Sequence, residues 1–185
     1  MLTRTLLDWQ DPAAAFAPLK DQAFALLLHG GGGRWSYICA NPVETLLVPN
    51  AQDASALGEA KARLASLDFH RPDDAPPFCG GWAGLFSYEF SRALLPKLDG
   101  GPQREGWPDI ALGLYDEVIA FDHEARRVEY WSWDWGEKTT PPLTDLIGGA
   151  APAAHSGALT ADPPAARLSP DIYQARIARA VAYTH

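Results

Sequence analysis

The sequence predicts a mixed chain, short strands paired through tight turns and interleaved with helices, and three stretches carry that reading. The first is PFCGGWAGLFSYEF, residues 77–90. Here Phe78, Trp82, Phe86, Tyr88 and Phe90 recur mostly at every second residue, while Gly80, Gly81 and Gly84 supply unusual backbone angles or admit a close neighbour. The second is a pair of strand-like runs, residues 109–122 and 127–133, joined by the polar turn DHEA and read as an antiparallel hairpin. The third is residues 53–67, where Leu57, Ala60, Leu64 and Leu67 fall three or four apart, opposite Glu59, Lys61 and Arg63, as in an amphipathic helix. If the alternation of the first stretch runs to its end, Trp82, Phe86, Tyr88 and Phe90 share one face. Glu89 then lies on the other, in or near a sheet, with Arg92 close by as its donor.

The remaining elements follow in order. Asp11 and Pro12 supply an N-cap and a first-turn proline for a short helix over residues 12–19. Residues 23–29 and 34–40 read as strands joined by the glycine tetrad Gly30 to Gly33. Asn41-Pro42 forces a turn, because the residue before proline is pushed out of the helical region, and residues 43–49 read as the third strand of a meander. The proline-rich 72–77 segment gives an extended entry to the glycine-aromatic strand, after which residues 91–98 read as a helical turn and 99–108 as a loop. Beyond Trp135 the composition turns to alanine, proline, glycine and threonine, so residues 136–168 read as a linker between a domain over 1–135 and a last helix over 169–185. Ser169, Pro170 and Asp171 open that helix, and Tyr173, Ile177, Ala180, Val181 and Thr184 form its apolar stripe. No glycine cap closes it, and the stripe is too short to hold the helix folded without something to pack on.

Composition bounds the function. With 185 residues, 47% of them hydrophobic and 11% aromatic, the chain can bury one core rich in rings. Its 15 basic and 23 acidic residues leave a net charge of −8, which offers nucleic acid and anionic membranes no electrostatic footprint. Cys39 and Cys79 stand far apart and outside any Cys-x-x-Cys arrangement, so they read as small buried hydrophobes in a reducing compartment. Asp8 and Asp11 interrupt the first apolar run, leaving no signal-peptide core, and no run reaches membrane-spanning length; a cytoplasmic protein is expected.

Few residues suggest chemistry. The glycine tetrad lacks the Lys-Ser/Thr of a phosphate-cradling loop, and His29, His70, His123, His155 and His185 show no ligand spacing, so each reads as satisfied or solvated. Ser87 sits outside a nucleophile elbow, and its hydroxyl is expected to satisfy backbone. The carboxylates Asp116, Glu117, Asp122 and Glu124 are expected to be solvated around a turn. Trp131, Trp133 and Trp135 alternate on one strand face, as a packing surface or, if exposed, a platform for stacking sugars; the latter would make the chain a non-catalytic ligand-binding module. No nucleophile, base and orienting group come together.

Residues 77–90 nevertheless resemble the Pro-Phe-x-Gly-Gly-x-x-Gly-x-x-Ser-Tyr-Asp/Glu signature of chorismate-utilising enzymes, namely anthranilate synthase component I and aminodeoxychorismate synthase component I. LLLHGGGGRWSYICANPVETL is similar to the family's early strand-loop-strand, WPDIALGLYDEVIAFDHEARRVEYW to its strand and hairpin, and SPDIYQARIARAVAYTH to its Ser-x-x-x-Tyr helix. His29 after Leu-Leu, the Leu-Phe-Ser-Tyr form of the signature and the compact loop favour aminodeoxychorismate synthase.

The resemblance implies an α+β fold, a twisted antiparallel sandwich with helices outside, of which this segment forms the N-terminal layer. It also implies amination of chorismate, ammonia from a glutamine amidotransferase subunit, no redox cofactor, and Mg2+ for the complete enzyme. The family's lysine motif, its magnesium glutamates and its chorismate contacts lie in a C-terminal chorismate-binding domain, so these residues alone are expected to be inactive. For the N-terminal part the resemblance implies a pocket for L-tryptophan made by Gly30, Gly32, Gly33, Arg34 and Trp35, with Ser36 beside them. Gly30 stands where the family commonly has a ligand-binding serine.

Overall fold

A computed structural model describes residues 1–30, 32–95, 106–136, 140–148, 166 and 168–183. The chain forms two compact units, residues 1–152 and 153–185. The described residues of the first carry strands β1 (Leu2–Leu7), β2 (Leu26–His29), β3 (Trp35–Cys39), β4 (Glu44–Val48), β5 (Gly81–Phe86), β6 (Ile110–Tyr115), β7 (Glu117–Asp122) and β8 (Arg127–Trp133). They pair antiparallel into a five-stranded sheet, β1-β8-β7-β3-β2, and a three-stranded sheet, β4-β6-β5. With helices α1 (Pro12–Phe16), α2 (Ser55–Ala65), α3 (Ser91–Leu94) and α4 (Leu143–Leu146), the architecture is α+β, as expected. No helix among the described residues is long and apolar enough to cross a membrane.

Two expected strands turn out differently, for one reason. The run 109–122 is divided at Asp116, so that β6 is the middle strand of the small sheet and β7 an inner strand of the large one. Likewise β4 does not continue a meander beside β3: the Asn41-Pro42 turn, with Asn41 at φ 51°, carries the chain across to pair with β6. Each crossing buries backbone groups that need partners. Val43 N–H donates to the Leu114 carbonyl at 2.8 Å, Trp133 N–H to the Asp116 carbonyl at 2.8 Å, and the Trp133 indole N–H to the Cys79 carbonyl at 2.6 Å.

The large sheet is buried on both faces, which is why β7 reads as a continuous apolar run rather than an alternation. One face packs Ile38, Ile119, Phe121 and Val128 on Ala15, Leu19 and Leu143 from the helical segments; the other packs Val118, Ala120, Trp131 and Trp133 on Cys79 and Tyr115. Trp131 and Trp133 are therefore core, as the packing reading expects, and form no exposed platform. The small sheet has its own core of Ile110 and Leu112 with Ala56 and Phe90, and Trp82 donates its indole N–H to the Ala60 carbonyl of α2 at 2.9 Å. Strand β1, which the sequence did not suggest, is an edge strand of mostly exposed residues.

Several local expectations hold. Asp11 caps α1, accepting from Ala14 N–H at 2.9 Å, and both cysteines are free and buried. The alternation of residues 77–90 does not run to its end. Strand β5 stops at Phe86, and Ser87 caps a 3-10 turn over Tyr88–Phe90, accepting from Phe90 N–H at 3.2 Å and donating to Asp109 at 3.0 Å. Phe90 is thereby buried while Tyr88 is 89% exposed, and Glu89 lies in a turn rather than in a sheet. The helical turn expected over 91–98 is α3, and residues 96–105, covering the end of that turn and most of the expected loop, lie outside the described residues. Within the stretch expected as a linker, α4 packs on the large sheet: Leu143 is buried, and its N–H donates to Glu117 at 2.7 Å. The second unit contains α5 (Pro170–Tyr183), capped by Ser169 as expected, with no buried residue among those described.

The β7–β8 turn is held by a carboxylate that the sequence suggested would be solvated. Asp122 is 1% exposed; it accepts from the Glu124 and Ala125 N–H groups at 3.1 and 3.0 Å, and from Arg34 at 2.7 to 3.2 Å. The Arg34 hydrogen bonds, aided by those two backbone donors and opposed by burial, hold the carboxyl down at about 2. Asp116 is buried as well, whereas Glu124 is solvated as expected.

Two outcomes are expected. A depressed folded-state value contributes stability that is fully present above about pH 4 and is lost as pH falls through about 2, so Asp122→Asn should lower stability at pH 7 by roughly 1–2 kcal/mol and flatten the acid limb between pH 4 and 2; urea titrations at several pH values check this, and an unchanged acid limb contradicts it. Gly84 has φ +153°, and a Cβ there would lie 2.1 Å from the Ala111 carbonyl oxygen, so Gly84→Ala should cost at least about 2 kcal/mol. Gly58, in α2 with open space around it, gives the opposite sign: Gly58→Ala should gain roughly 0.5–1 kcal/mol in the same measurement.

Candidate functional site

The strand order β7-β3-β2 sets three polar side chains in a row at one end of the large sheet. Antiparallel register places His29 on β2 opposite Ser36 on β3, and Ser36 opposite Phe121 on β7, so His123 just beyond β7 reaches the same serine. Ser36 is fully buried, with its Oγ 2.7 Å from both His29 Nδ1 and His123 Nε2. The two ring centroids lie 5.8 Å apart. Trp9 packs T-shaped against His123 with ring centroids 5.6 Å apart, and the Arg126 guanidinium lies over the Trp9 ring at 4.1 Å.

Above this row is an open pocket of about 280 Å³, lined by His29, Gly30, Gly32, Gly33, Arg34, His123 and Glu124. Gly30 and Gly32 have nothing within 4 Å of where a Cβ would be, and Gly32 holds φ +90°. The glycine loop thus leaves space that side chains would fill, and exposes backbone that an occupant can bond. Arg34 forks over Asp122 and has Glu124 at 3.7 Å, so its charge is more than balanced locally.

Of the residues singled out in the sequence, Gly30, Gly32, Gly33 and Arg34 line this pocket, and Ser36 lies beneath it, bonded to two of its walls. Trp35 does not line it. Strand alternation turns Trp35 to the opposite face, where it stacks on Tyr37 at 6.3 Å and under the Arg34 guanidinium at 5.0 Å. The two imidazoles are the residues that sequence reasoning missed. They are 94 positions apart, and only the register of β2, β3 and β7 joins them; a serine opposite a histidine across a short hairpin was the one local signal.

A serine between two histidines suggests a nucleophile with a base, but the geometry does not support that role. Ser36 is inaccessible beneath the rings, and the nearest buried carboxylate, Asp122, bonds Arg34 rather than an imidazole. Burial pushes the thiols of Cys39 and Cys79 up, Cys79 to about 11, so neither supplies a thiolate at neutral pH. The buried Glu129 is taken by Arg4 at 2.5 Å, Arg127 at 2.9 Å and the Trp131 indole at 3.1 Å, a pairing that closes the sheet edge. Among the described residues no group of three His, Cys, Asp or Glu could hold a metal ion. The arrangement is an open pocket walled by glycine backbone, Arg34, Glu124 and two imidazoles that share one buried serine.

Comparison with known proteins agrees with the signature strand. A family profile described as chorismate binding enzyme matches residues 23–185. Aminodeoxychorismate synthase component 1 of Salmonella typhimurium is 32% identical over 148 residues, covering 69% of this chain and 32% of that protein. The Klebsiella aerogenes protein of the same name is 31% identical over 167 residues, covering 74% and 36%. Anthranilate synthase component 1 of Streptomyces coelicolor is 36% identical over 129 residues, covering 65% and 24%. The chain spans about a third of the length of the two aminodeoxychorismate synthases it matches. Since the profile covers most of its length, the chain belongs to the chorismate binding enzyme family.

Proposed function

We propose that this chain is the N-terminal portion of an aminodeoxychorismate synthase component I, which aminates chorismate to 4-amino-4-deoxychorismate on the way to p-aminobenzoate and folate. The observation that carries this reading is the similarity to two proteins of that name over 69% and 74% of the chain. Both relatives are called component 1, which supports a second component, a glutamine amidotransferase that delivers ammonia. In this reading the described residues serve as a scaffold layer and a ligand pocket, and the chemistry belongs to the remaining two thirds of the enzyme. Magnesium would be held there too: the described residues offer it no cluster of three ligands, and no step through the metal is assigned to them.

The pocket over Ser36 is the proposed seat of a regulatory or structural amino acid, L-tryptophan. A serine is absent at Gly30, but the two imidazoles supply polar contacts in its place, and the glycine loop makes room. One finding favours a second reading, anthranilate synthase component I. The relative of that activity from Oryza sativa, anthranilate synthase alpha subunit 2, is 42% identical over 122 residues, covering 55% of this chain and 20% of that protein.

Co-expression with a C-terminal portion of a related synthase, with ammonia supplied, should produce aminodeoxychorismate only when both pieces are present. Formation of anthranilate instead would favour the second reading, and turnover by these 185 residues alone would contradict both. For the pocket, equilibrium dialysis should show saturable L-tryptophan binding that falls at least tenfold in Gly32→Val, a change that fills the open loop and strains its backbone. The melting temperature of that variant should stay within a few degrees of the parent, since the loop lies outside the three cores; equal binding by both proteins would place the ligand elsewhere.

A further inference from the structure

We propose that the His29–Ser36–His123 row makes the pocket a proton-coupled carboxylate site, in which one proton taken up by the histidine pair converts its pocket edge from one donor and one acceptor into two donors. The proposal deepens the pocket reading above and rests on it. Its physical basis is a count of hydrogens.

Ser36 Oγ is 2.7 Å from one nitrogen of each ring and is fully buried, so its single hydrogen has the two imidazoles as its partners. With both rings neutral, Ser36 donates to one and accepts from the other. The tautomers are then complementary, and the nitrogens left for an occupant, His29 Nε2 and His123 Nδ1, are one N–H and one lone pair. The direction of the chain can reverse, but the pair always shows one of each.

A first proton fits without breaking anything. Suppose it goes to the ring that shows its lone pair to the pocket: that ring keeps its N–H toward Ser36, the hydroxyl still donates to the other ring, and both pocket-side nitrogens now carry hydrogen. A second proton does not fit, because both rings would then donate to Ser36 and leave its hydrogen buried with no acceptor. The relay therefore holds one proton comfortably and resists two.

The charged groups around the pair fix what the singly protonated state suits. Arg34, just before β3, and Glu124, in the β7–β8 turn, line the pocket with the pair; Asp122, the last residue of β7, bonds Arg34, and Arg126 lies over the Trp9 ring. Within the ion-paired group, Arg34 against Asp122 and Glu124 leaves one negative charge in excess, Arg126 being engaged by the Trp9 ring instead, and the first proton cancels that excess. Two N–H donors side by side in a pocket relieved of its negative excess match the two oxygens of a carboxylate. The neutral pair, with a lone pair and an excess negative charge, matches an ammonium better. Carboxylate binding is thus coupled to uptake of one proton, and by linkage it strengthens as pH falls.

The test combines nitrogen NMR of the two imidazoles with calorimetry of L-tryptophan and of tryptamine, the same molecule without its carboxylate, from pH 7.5 to 5.5 in two buffers of different ionisation enthalpy. The expected result is that the pair takes up one proton between pH 8 and 5 in the parent and two in Ser36→Ala. Tryptophan affinity should rise threefold to tenfold per pH unit on acidification with about one proton taken up, while tryptamine affinity falls. His123→Gln, which keeps a donor and an acceptor but cannot ionise in this range, should bind tryptophan with little dependence on pH. Uptake of two protons by the parent, or an equal gain by tryptamine, overturns the proposal. Absence of binding by either compound overturns the pocket reading and the carboxylate assignment with it, and is told apart from a failed relay by the proton count, which needs no ligand.

Discussion

The constraint on which the fold depends is that one stretch of backbone serves two sheets. Strands β6 and β7 are separated by Asp116 alone, so the middle strand of the small sheet and an inner strand of the large one are a single extended run. Neither sheet can slide or open without dragging the other. The seam is sealed by Trp133, whose main-chain N–H reaches the Asp116 carbonyl and whose indole reaches the Cys79 carbonyl. That indole lies so close to Gly80 that a Cβ there would come within 2.7 Å of its nitrogen, which accounts for a glycine at the entrance to the signature strand. In a buried position every one of these backbone groups needs its partner, so the seam is held by hydrogen bonds as much as by apolar contact.

The pocket inherits its properties from this seam. Its floor is set by the register of three paired strands and by Phe121 packed with Trp9, whereas Gly30 and Gly32 in its wall leave open the space a Cβ would take. Strand pairing fixes the polar groups of that floor relative to one another. The Arg34–Asp122 fork joins the two, because the carboxylate that receives the arginine also ties down the β7–β8 turn from which His123 emerges.

What was legible in the sequence followed from local chemistry. Asp11 with Pro12 marked α1, the three-and-four spacing of leucines marked α2, and the DHEA turn marked the β7–β8 hairpin. What was hidden depended on contacts between distant residues. The division at Asp116 has no punctuation, since nothing in LYDEVIAF signals a change of partner strand; Asp122 resembled any turn carboxylate until Arg34, 88 residues away, was placed beside it. Strand β1 carries the polar residues of an edge and lacks the apolar density by which inner strands are recognised. At the pocket, the resemblance pointed to the glycines, Arg34 and Trp35; the glycines and Arg34 line it while Trp35 lies on the other face of β3, and the histidines had no shared spacing to reveal them.

The chain belongs to the chorismate binding enzyme family and spans about a third of the matched synthases, and its described residues pack into two sheets that share one run of backbone. The shared run ties the two sheets to each other. Native-state hydrogen exchange along residues 110–122 measures this directly. If the two sheets are one cooperative unit, the buried amides of β6 and β7 exchange together, with the same opening free energy and the same denaturant dependence, equal to that of global unfolding. Exchange of β6 with β4 and β5 at a distinctly lower free energy, while β7 stays protected, would show that the sheets open independently and that the seam does not hold the fold together.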